Sequence, residues 1–177
     1  MNIYEALKKD HIEVLDLMDE LIALKDDDDY REVLVQQISD ALIPHSRAEE
    51  SVFYNTLRAV DAPKKEVFHG FKEHMEAETL LKTLQAKDKL NMEWKSVAKK
   101  LKDALSHHIN EEETEIFSIA KEAFTAEEAD VMGEAFLELK PKVKEQTSLG
   151  KSADMVINLL PPRLASKIRD FGISMQK

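Results

Sequence analysis

Four histidines and two glutamates of this 177-residue chain recur at one fixed spacing, and all six are residue types that bind transition metals. His11, His45 and Glu49 reappear as His74, His108 and Glu112; the differences 74−11, 108−45 and 112−49 are all 63. In each half the two histidines lie 34 residues apart (45−11 and 108−74), and a glutamate follows the second histidine four positions later. A histidine and a glutamate at i and i+4 of a helix share one face, with Cβ atoms about 5–6 Å apart, so both can reach one ion or one ion pair. A buried cluster of neutral imidazole and carboxylate is what divalent iron, manganese or zinc accepts. Six protein ligands suit two ions better than one closed four-coordinate zinc site. Each carboxylate can then bridge the pair, with two histidines on each ion and an oxo or hydroxo bridge between them. An open position remains on each ion, as small-ligand chemistry requires.

Apolar residues recur at helical spacing in the segments that must position these side chains. The spacing predicts a first helix over about 3–24, a second over 30–60, a third ending near 86 and a fourth over 91–123. On the first, Leu7, His11, Val14 and Met18 lie at core spacing, as do Leu42, His45, Glu49 and Phe53 on the second. The third gives Phe71, His74 and Leu81, and the fourth Leu105, His108, Glu112 and Ile116. The 63-residue offset also pairs core positions: Leu17 with Leu80, Leu21 with Leu84, Leu42 with Leu105, Tyr54 with Phe117. A duplicated helix hairpin with short connections implies an all-α, up-down-up-down four-helix bundle over residues 1–124. Asp61-Ala62-Pro63 should break the chain between the halves.

Residues 125–177 read as a C-terminal helical extension packed on the bundle. Thr125-Ala126-Glu127-Glu128 has the form of a capping box, and Pro141 should kink or end the helix it starts. Beyond Gly150, Met155-Val156-Ile157, Leu159-Leu160, Leu164, Ile168 and Phe171 form short apolar faces that must bury on the bundle or in a homodimer contact. The tail from about Gly150 has no repeat partner and no metal-type residue, so no chemistry is expected of it.

A lone core histidine is more often a hydrogen-bonded structural residue than a ligand; six polar groups converging from four helices are another matter, since burying them unpartnered would cost several kcal/mol. Rivals to the six are few. His107 and Glu111 mimic the His108–Glu112 pair but line up with Lys100, Asp103, Thr114 and Ser118, a polar face that should be solvated. His69, five residues before His74, points away from it and is read as lining an entrance or simply exposed. Glu78 follows His74 by four on the inward stripe, where its repeat partner is Leu15. It is read as a seventh ligand, an acceptor for a histidine N–H, or a proton donor to bound peroxide. Tyr54 and Tyr4 read as neighbours of the site or, as is usual for a tyrosine at the end of a core stripe, as packing.

Composition narrows the classes. Four glycines, five prolines and 43% apolar content favour long helices around a real core. With no cysteine, a disulfide framework, a thiolate zinc site and an iron–sulfur cluster are excluded. The net charge of −10 argues against nucleic acid, since phosphate binding wants a basic face. No signal peptide and no bilayer-length apolar stretch is visible, so a cytoplasmic protein without membrane contact is expected. The Asp26–Asp29 run lacks the glycine and closing glutamate of an EF-hand and reads as a loop. Ferritin-like sites need Glu-x-x-His on two helices, and only Glu66–His69 matches; the His-Glu-x-x-His zinc-protease motif is absent.

Taken together, these motifs resemble the hemerythrin-like HHE domains. The likeness rests on a histidine on the first helix, His45-x-x-x-Glu49-Glu50 before Phe53-Tyr54 on the second, His74 after Glu73 on the third, and His108-x-x-x-Glu112-Glu113 before Ile116-Phe117 on the fourth. It covers about residues 3–123. It implies two non-haem iron ions (Fe2+/Fe3+), oxo- or hydroxo-bridged, that bind oxygen, nitric oxide or peroxide for sensing, carriage or iron handling. The alternative it implies is an enzyme that reduces or dismutates peroxide or nitric oxide, or repairs damaged iron centres. Oxygen-carrying hemerythrins differ in using five histidines, with His-x-x-x-His on the third helix, where this chain has Gly70 before and Glu78 after His74. The four-histidine, two-glutamate set is closer to bacterial proteins proposed to repair iron centres, which usually add a cysteine-bearing domain.

Overall fold

The computed structural model describes residues 1–60, 62, 64–86, 93–145 and 157–174. Its helices are α1 (Ile3–Ala23), α2 (Tyr30–Glu49), α3 (Asn55–Ala59), α4 (Lys64–Gln85), α5 (Trp94–Glu111), α6 (Phe117–Ala123), α7 (Ala126–Glu145) and α8 (Pro162–Ser174). No strand occurs among the described residues. Asp61 and Pro63 of the expected break, and Met155-Val156 of the tail, lie outside them.

α1 starts at a reciprocal cap: the Glu5 N–H donates to the Asn2 side chain at 3.0 Å, and the Asn2 N–H to the Glu5 carboxylate at 3.2 Å. The second and fourth helices are not the unbroken α-helices that the spacing predicts. Each passes through a five-residue π turn, Glu50–Tyr54 after α2 and Glu112–Ile116 after α5, before continuing as α3 and α6. In both, an N–H reaches back five residues, from Asn55 to the Glu50 carbonyl and from Phe117 to the Glu112 carbonyl. The turns recur 62 positions apart (112−50), within one residue of the repeat.

α1 packs on α2 and α5, and α4 on α5 and α2, closing a four-helix bundle. Its apolar core falls into two compartments. α1 gives Ile3, Ala6 and Leu7 to one and Val14, Met18 and Leu21 to the other; α2 runs oppositely, from Leu34, Ile38 and Leu42 to Ala48 and Val52. α4 passes from Val67 to Ala77, Leu81 and Leu84, and the α5 chain from Trp94, Leu101 and Leu105 to Ile116 and Phe117. That alternation is the up-down-up-down topology. The repeated histidines and glutamates fall in the gap between the compartments on every helix. The Asp26–Asp29 run is a loop between α1 and α2, tied to α5 by a bond from Trp94 Nε1 to the Asp26 carbonyl at 3.2 Å.

α7 lies on α1 and α2, contributing Met132, Ala135, Phe136 and Leu139 to the core, while α8 packs on α3. Gly133 permits the close approach of the N-terminus: a Cβ there would stand 2.2 Å from the Met1 carbonyl oxygen. Pro141 does not end α7, which continues to Glu145. Pro141 and Leu137, whose carbonyl it leaves without an N–H, are both exposed, so water can replace the lost bond. No helix among the described residues is long and apolar enough to cross a membrane.

The capping box expected at α7 is present: Glu128 N–H to Thr125 Oγ1 at 3.2 Å, Thr125 N–H to Glu128 Oε2 at 3.0 Å. Arg163 of α8 donates Nε and Nη2 to the same carboxylate, each at 2.6 Å, so one glutamate fixes both helices of the extension. The Arg163 hydrogen bond holds the Glu128 carboxyl below its usual range, aided by the Thr125 N–H and against burial. Thr125→Ala should cost about 1 kcal/mol in denaturant unfolding at neutral pH, and Glu128→Gln should lower the midpoint further by weakening the Arg163 pair. A depressed carboxylate pKa stabilises above its unfolded value and loses that contribution as pH falls through the folded one. The gap between wild type and Glu128→Gln should therefore close as pH drops through the carboxylate range.

Candidate metal centre

Between the two apolar compartments His11 projects from α1, His45 and Glu49 from α2, His74 from α4, His108 from α5, and Glu112 from the π turn that follows it. The side chains of His11, His45, His74 and His108 are 3%, 7%, 5% and 7% exposed; those of Glu49 and Glu112 are 0% exposed. The structure thus brings together all six residues singled out by the repeat.

Every imidazole is held from behind by a carboxylate. His11 Nδ1 lies 2.9 Å from Glu113, His45 Nδ1 3.1 Å from Asp10, His74 Nδ1 3.0 Å from Glu50, and His108 Nδ1 3.0 Å from Glu73. A carboxylate only accepts, so each Nδ1–H donates and each Nε2 lone pair is turned inward, the tautomer and aim that a metal-binding histidine needs. Sequence reasoning did not assign these four acids, yet they obey the same repeat: 73−10 and 113−50 are both 63. The signal was the offset itself, hidden at the first pair because an aspartate answers a glutamate.

The inward-facing atoms are not satisfied by one another. Both oxygens of Glu49, both of Glu112 and Nε2 of His11 are buried without a hydrogen-bond partner. They approach the imidazoles without forming bonds of good geometry: His74 Nε2 to Glu49 at 3.1 Å, His11 Nε2 to Glu112 at 3.2 Å, His45 Nε2 to Glu49 at 3.6 Å, His108 Nε2 to Glu112 at 4.0 Å. His74 and His108 face each other Nε2 to Nε2 at 3.0 Å. With both Nδ1 atoms donating outward, two lone pairs meet there unless a positive charge lies between them. The donor atoms of His11, His45 and Glu49, and of Glu49, His74 and His108, each lie within 4.8 Å of one another, with Glu49 common to both sets. Orphaned carboxylate oxygens beside inward-aimed imidazoles are a donor set that fits divalent transition-metal ions.

Electrostatics point the same way. Burial drives the Glu49 carboxyl well above its usual range, and the neighbouring charge of Glu112 adds to it. Burial pushes His45 down to about 4 against the pull of its Asp10 hydrogen bond, and it lowers His74 despite Glu50. Those two rings are thus neutral near pH 7, the form that ligates. His11 is raised, because Glu112 and Glu113 together outweigh its burial. The facing carboxylates draw positive charge to this layer.

The acids behind the histidines are themselves anchored. Lys140 of α7 binds Asp10 at 2.6 Å, Lys8 binds Glu113 at 3.0 Å, and Arg47 reaches Glu50 at 3.4 Å. The Phe136 ring, also from α7, stands edge-on to His45 at 5.8 Å between centroids. α7 therefore helps to hold the site, through Asp10 and His45. Glu78 does not join the ligand layer: it is bound by Arg47 at 2.6 Å and Lys82 at 2.7 Å. The sequence stripe placed it correctly on the inward side of α4, but Arg47 intercepts it.

A cavity of about 470 Å³ opens between α4 and α5 and reaches His108 and Glu112. Tyr54 and Gly70 line its inner wall. The Tyr54 hydroxyl is wholly buried with no hydrogen-bond partner, and its ring stands edge-on to His74 at 5.7 Å. Burial first, and then the charges of Glu112 and Glu49, hold the phenol far above its usual pKa, so it keeps its proton. Gly70 makes this placement possible, since a Cβ there would lie 2.5 Å from Tyr54 Oη. Of the two readings of Tyr54, neighbour of the site or packing, the structure places it beside His74 and on the cavity wall. His69 lines the cavity, whereas His107 is 62% exposed and does not join the buried layer.

Asp10→Asn and Glu113→Gln should each weaken metal binding about 10–100-fold, because the imidazole behind which each acid stands loses its orientation and basicity. Competition with a chromophoric chelator measures this, and an unchanged helical circular-dichroism spectrum separates it from unfolding.

The description of the hemerythrin HHE cation binding domain fits residues 2–120 as a family match. The chain is also similar to a DNA nickase of Nostoc sp. (strain PCC 7120), 26% identical over 148 residues that cover 82% of this chain and 41% of that protein. It spans about two fifths of the length of that relative. No solved structure matches it. With a four-helix bundle carrying a buried His/Glu layer and a family match over most of the bundle, the chain belongs to the hemerythrin HHE cation-binding family.

Proposed function

We propose that this is a non-haem di-iron protein that takes up a small ligand, oxygen, nitric oxide or peroxide, for sensing, carriage or iron handling. The observation that carries the reading is the set of four orphaned carboxylate oxygens facing inward-aimed imidazoles in a buried layer. His11 and His45 would hold one ion, His74 and His108 the other, and Glu49 and Glu112 would span them. When bound, iron supplies open coordination positions and a Fe2+/Fe3+ couple.

The surrounding residues favour binding over turnover. Glu78, the acid that would have delivered a proton at the centre, is tied up by Arg47 and Lys82. Tyr54 offers a hydroxyl beside Glu112, and a phenol held so firmly protonated donates a hydrogen bond rather than a proton. Ile116 and Phe68 supply apolar wall to the cavity. The activity named for the Nostoc protein is not carried over, since a net charge of −10 opposes a phosphate backbone.

Protein grown with iron and passed over a chelating resin should retain close to two irons per chain; zinc alone, or no metal, would overturn the di-iron reading. His74→Ala and Glu112→Ala should each lose iron, whereas His107→Ala should keep both ions. In stopped-flow spectroscopy of the diferrous protein with oxygen, nitric oxide and peroxide, a stable reversible adduct is expected, and catalytic turnover would support the enzyme alternative. Tyr54→Phe should leave iron content intact and shorten the adduct lifetime. It should also raise metal-free stability by about 1 kcal/mol, because a buried unpaired hydroxyl is removed.

A further inference from the structure

We infer that His69, Glu73, His107 and Glu111 form a second, mononuclear divalent-cation site at the mouth of the cavity, outside the buried layer. His69 and Glu73 stand one turn apart on α4, and His107 and Glu111 one turn apart on the facing α5. One ligand atom from each lies within 4.8 Å of all the others. Each histidine faces both carboxylates: His69 Nε2 is 3.4 Å from Glu73 and 3.4 Å from Glu111, and His107 Nε2 is 3.7 Å from Glu73 and 3.1 Å from Glu111. A tetrahedral ion with ligands at about 2.0–2.1 Å sets neighbouring ligand atoms about 3.3–3.4 Å apart. The four separations scatter around that value, with Glu73 presenting Oε1 to both rings and Glu111 presenting Oε2 to His69 and Oε1 to His107, so a turn of the Glu111 carboxylate closes the set on an ion.

Two ordinary surface pairs would each link i to i+4 on one helix, and such pairs contribute little. They would not bring the ring of each helix to the carboxylate of the other. Exposure explains why these positions are polar but not why four ligand atoms converge. Across the repeat, residues 69, 107 and 111 correspond to Ala6, Pro44 and Ala48 on the α1–α2 face, which α7 covers. The α4–α5 face carries imidazole and carboxylate instead. Glu73 divides its oxygens: Oε1 turns to His69 and His107, Oε2 to His108 Nδ1. The peripheral site thus shares one carboxylate with the buried layer, while its own ligands are separate from the six already described.

Zinc is a suitable probe, because its absorption edge distinguishes it from iron. Iron-loaded protein titrated with zinc chloride should bind one further zinc per chain, and crystals soaked in zinc should show an anomalous peak enclosed by these four side chains. His69→Ala/His107→Ala should weaken the added zinc at least tenfold; the two imidazoles are 48% and 62% exposed, so little packing is lost. Glu111→Gln should weaken it without disturbing the contact of Glu73 with His108. No peak at the four residues, or zinc binding unchanged in the double variant, overturns the inference. Zinc found in the buried layer in place of iron would instead count against the di-iron reading, and the peripheral peak would still decide this one.

Discussion

Glu49 and Glu112 lie buried in the bundle interior, and none of their four oxygens has a hydrogen-bond partner among the described residues. Removing even one carboxylate from water costs several kcal/mol unless an opposite charge answers it. Around the layer stand six carboxylates: these two and Asp10, Glu50, Glu73 and Glu113 behind the histidines. Three cationic side chains, Lys8, Arg47 and Lys140, neutralise part of that charge from outside. Among these acids burial pushes His45 and His74 toward neutrality. Burial and the neighbouring charge of Glu112 raise the Glu49 carboxyl, and Glu112 and Glu113 raise His11 against its burial. Metal affinity and folding are therefore coupled here, because assembling the bundle assembles the unsatisfied charge.

That demand explains the π turns. On an unbroken α-helix the stripe that carries His45 and Glu49 inward would leave Glu50 and Tyr54 to the flanks. A turn closed from residue i to i+5 absorbs one extra residue and sets the following face back by one. Upstream of the turn Glu49 enters the layer and Glu50 meets His74 Nδ1 from behind, and across it the successive residues Phe53 and Tyr54 are both wholly buried. The same device follows Glu112, where Glu113 serves His11.

Most of the bundle and the six inward residues were legible because both obey periodicities that a sequence displays: the helical stripe and the 63-residue duplication. The π turns were not, since a one-residue phase shift leaves the i, i+4 pair upstream untouched and shows only as two adjacent buried aromatic residues. The acids behind the histidines follow the duplication, but Asp10 and Glu73 differ in type and drop out of a search for identical pairs. Glu78 fits the inward stripe of its own helix, and its pairing with Arg47 does not show in that stripe because Arg47 comes from another helix. Contacts between elements are where one-dimensional patterns stop. The helix continuing through Pro141 is a similar case: the deciding fact is that the freed carbonyl faces water.

Duplication accounts for the symmetric layer, and the departures from it account for access. On the α1–α2 side, Leu7 and Phe117 occupy the positions that Gly70 and Tyr54 occupy on the other, and α7 closes the face with Phe136 and Lys140. On the α4–α5 side, the missing side chain of Gly70 admits the Tyr54 ring, and the cavity runs from solvent to His108 and Glu112. One half of the pseudo-twofold is thus sealed and anchored, and the other is open and carries a hydroxyl at its inner end. A symmetric protein would offer a ligand two equivalent approaches or none. Here a single glycine and a single helix make the two ends of the same His/Glu layer different, and the end that the cavity reaches is the one that carries His108, Glu112 and Tyr54.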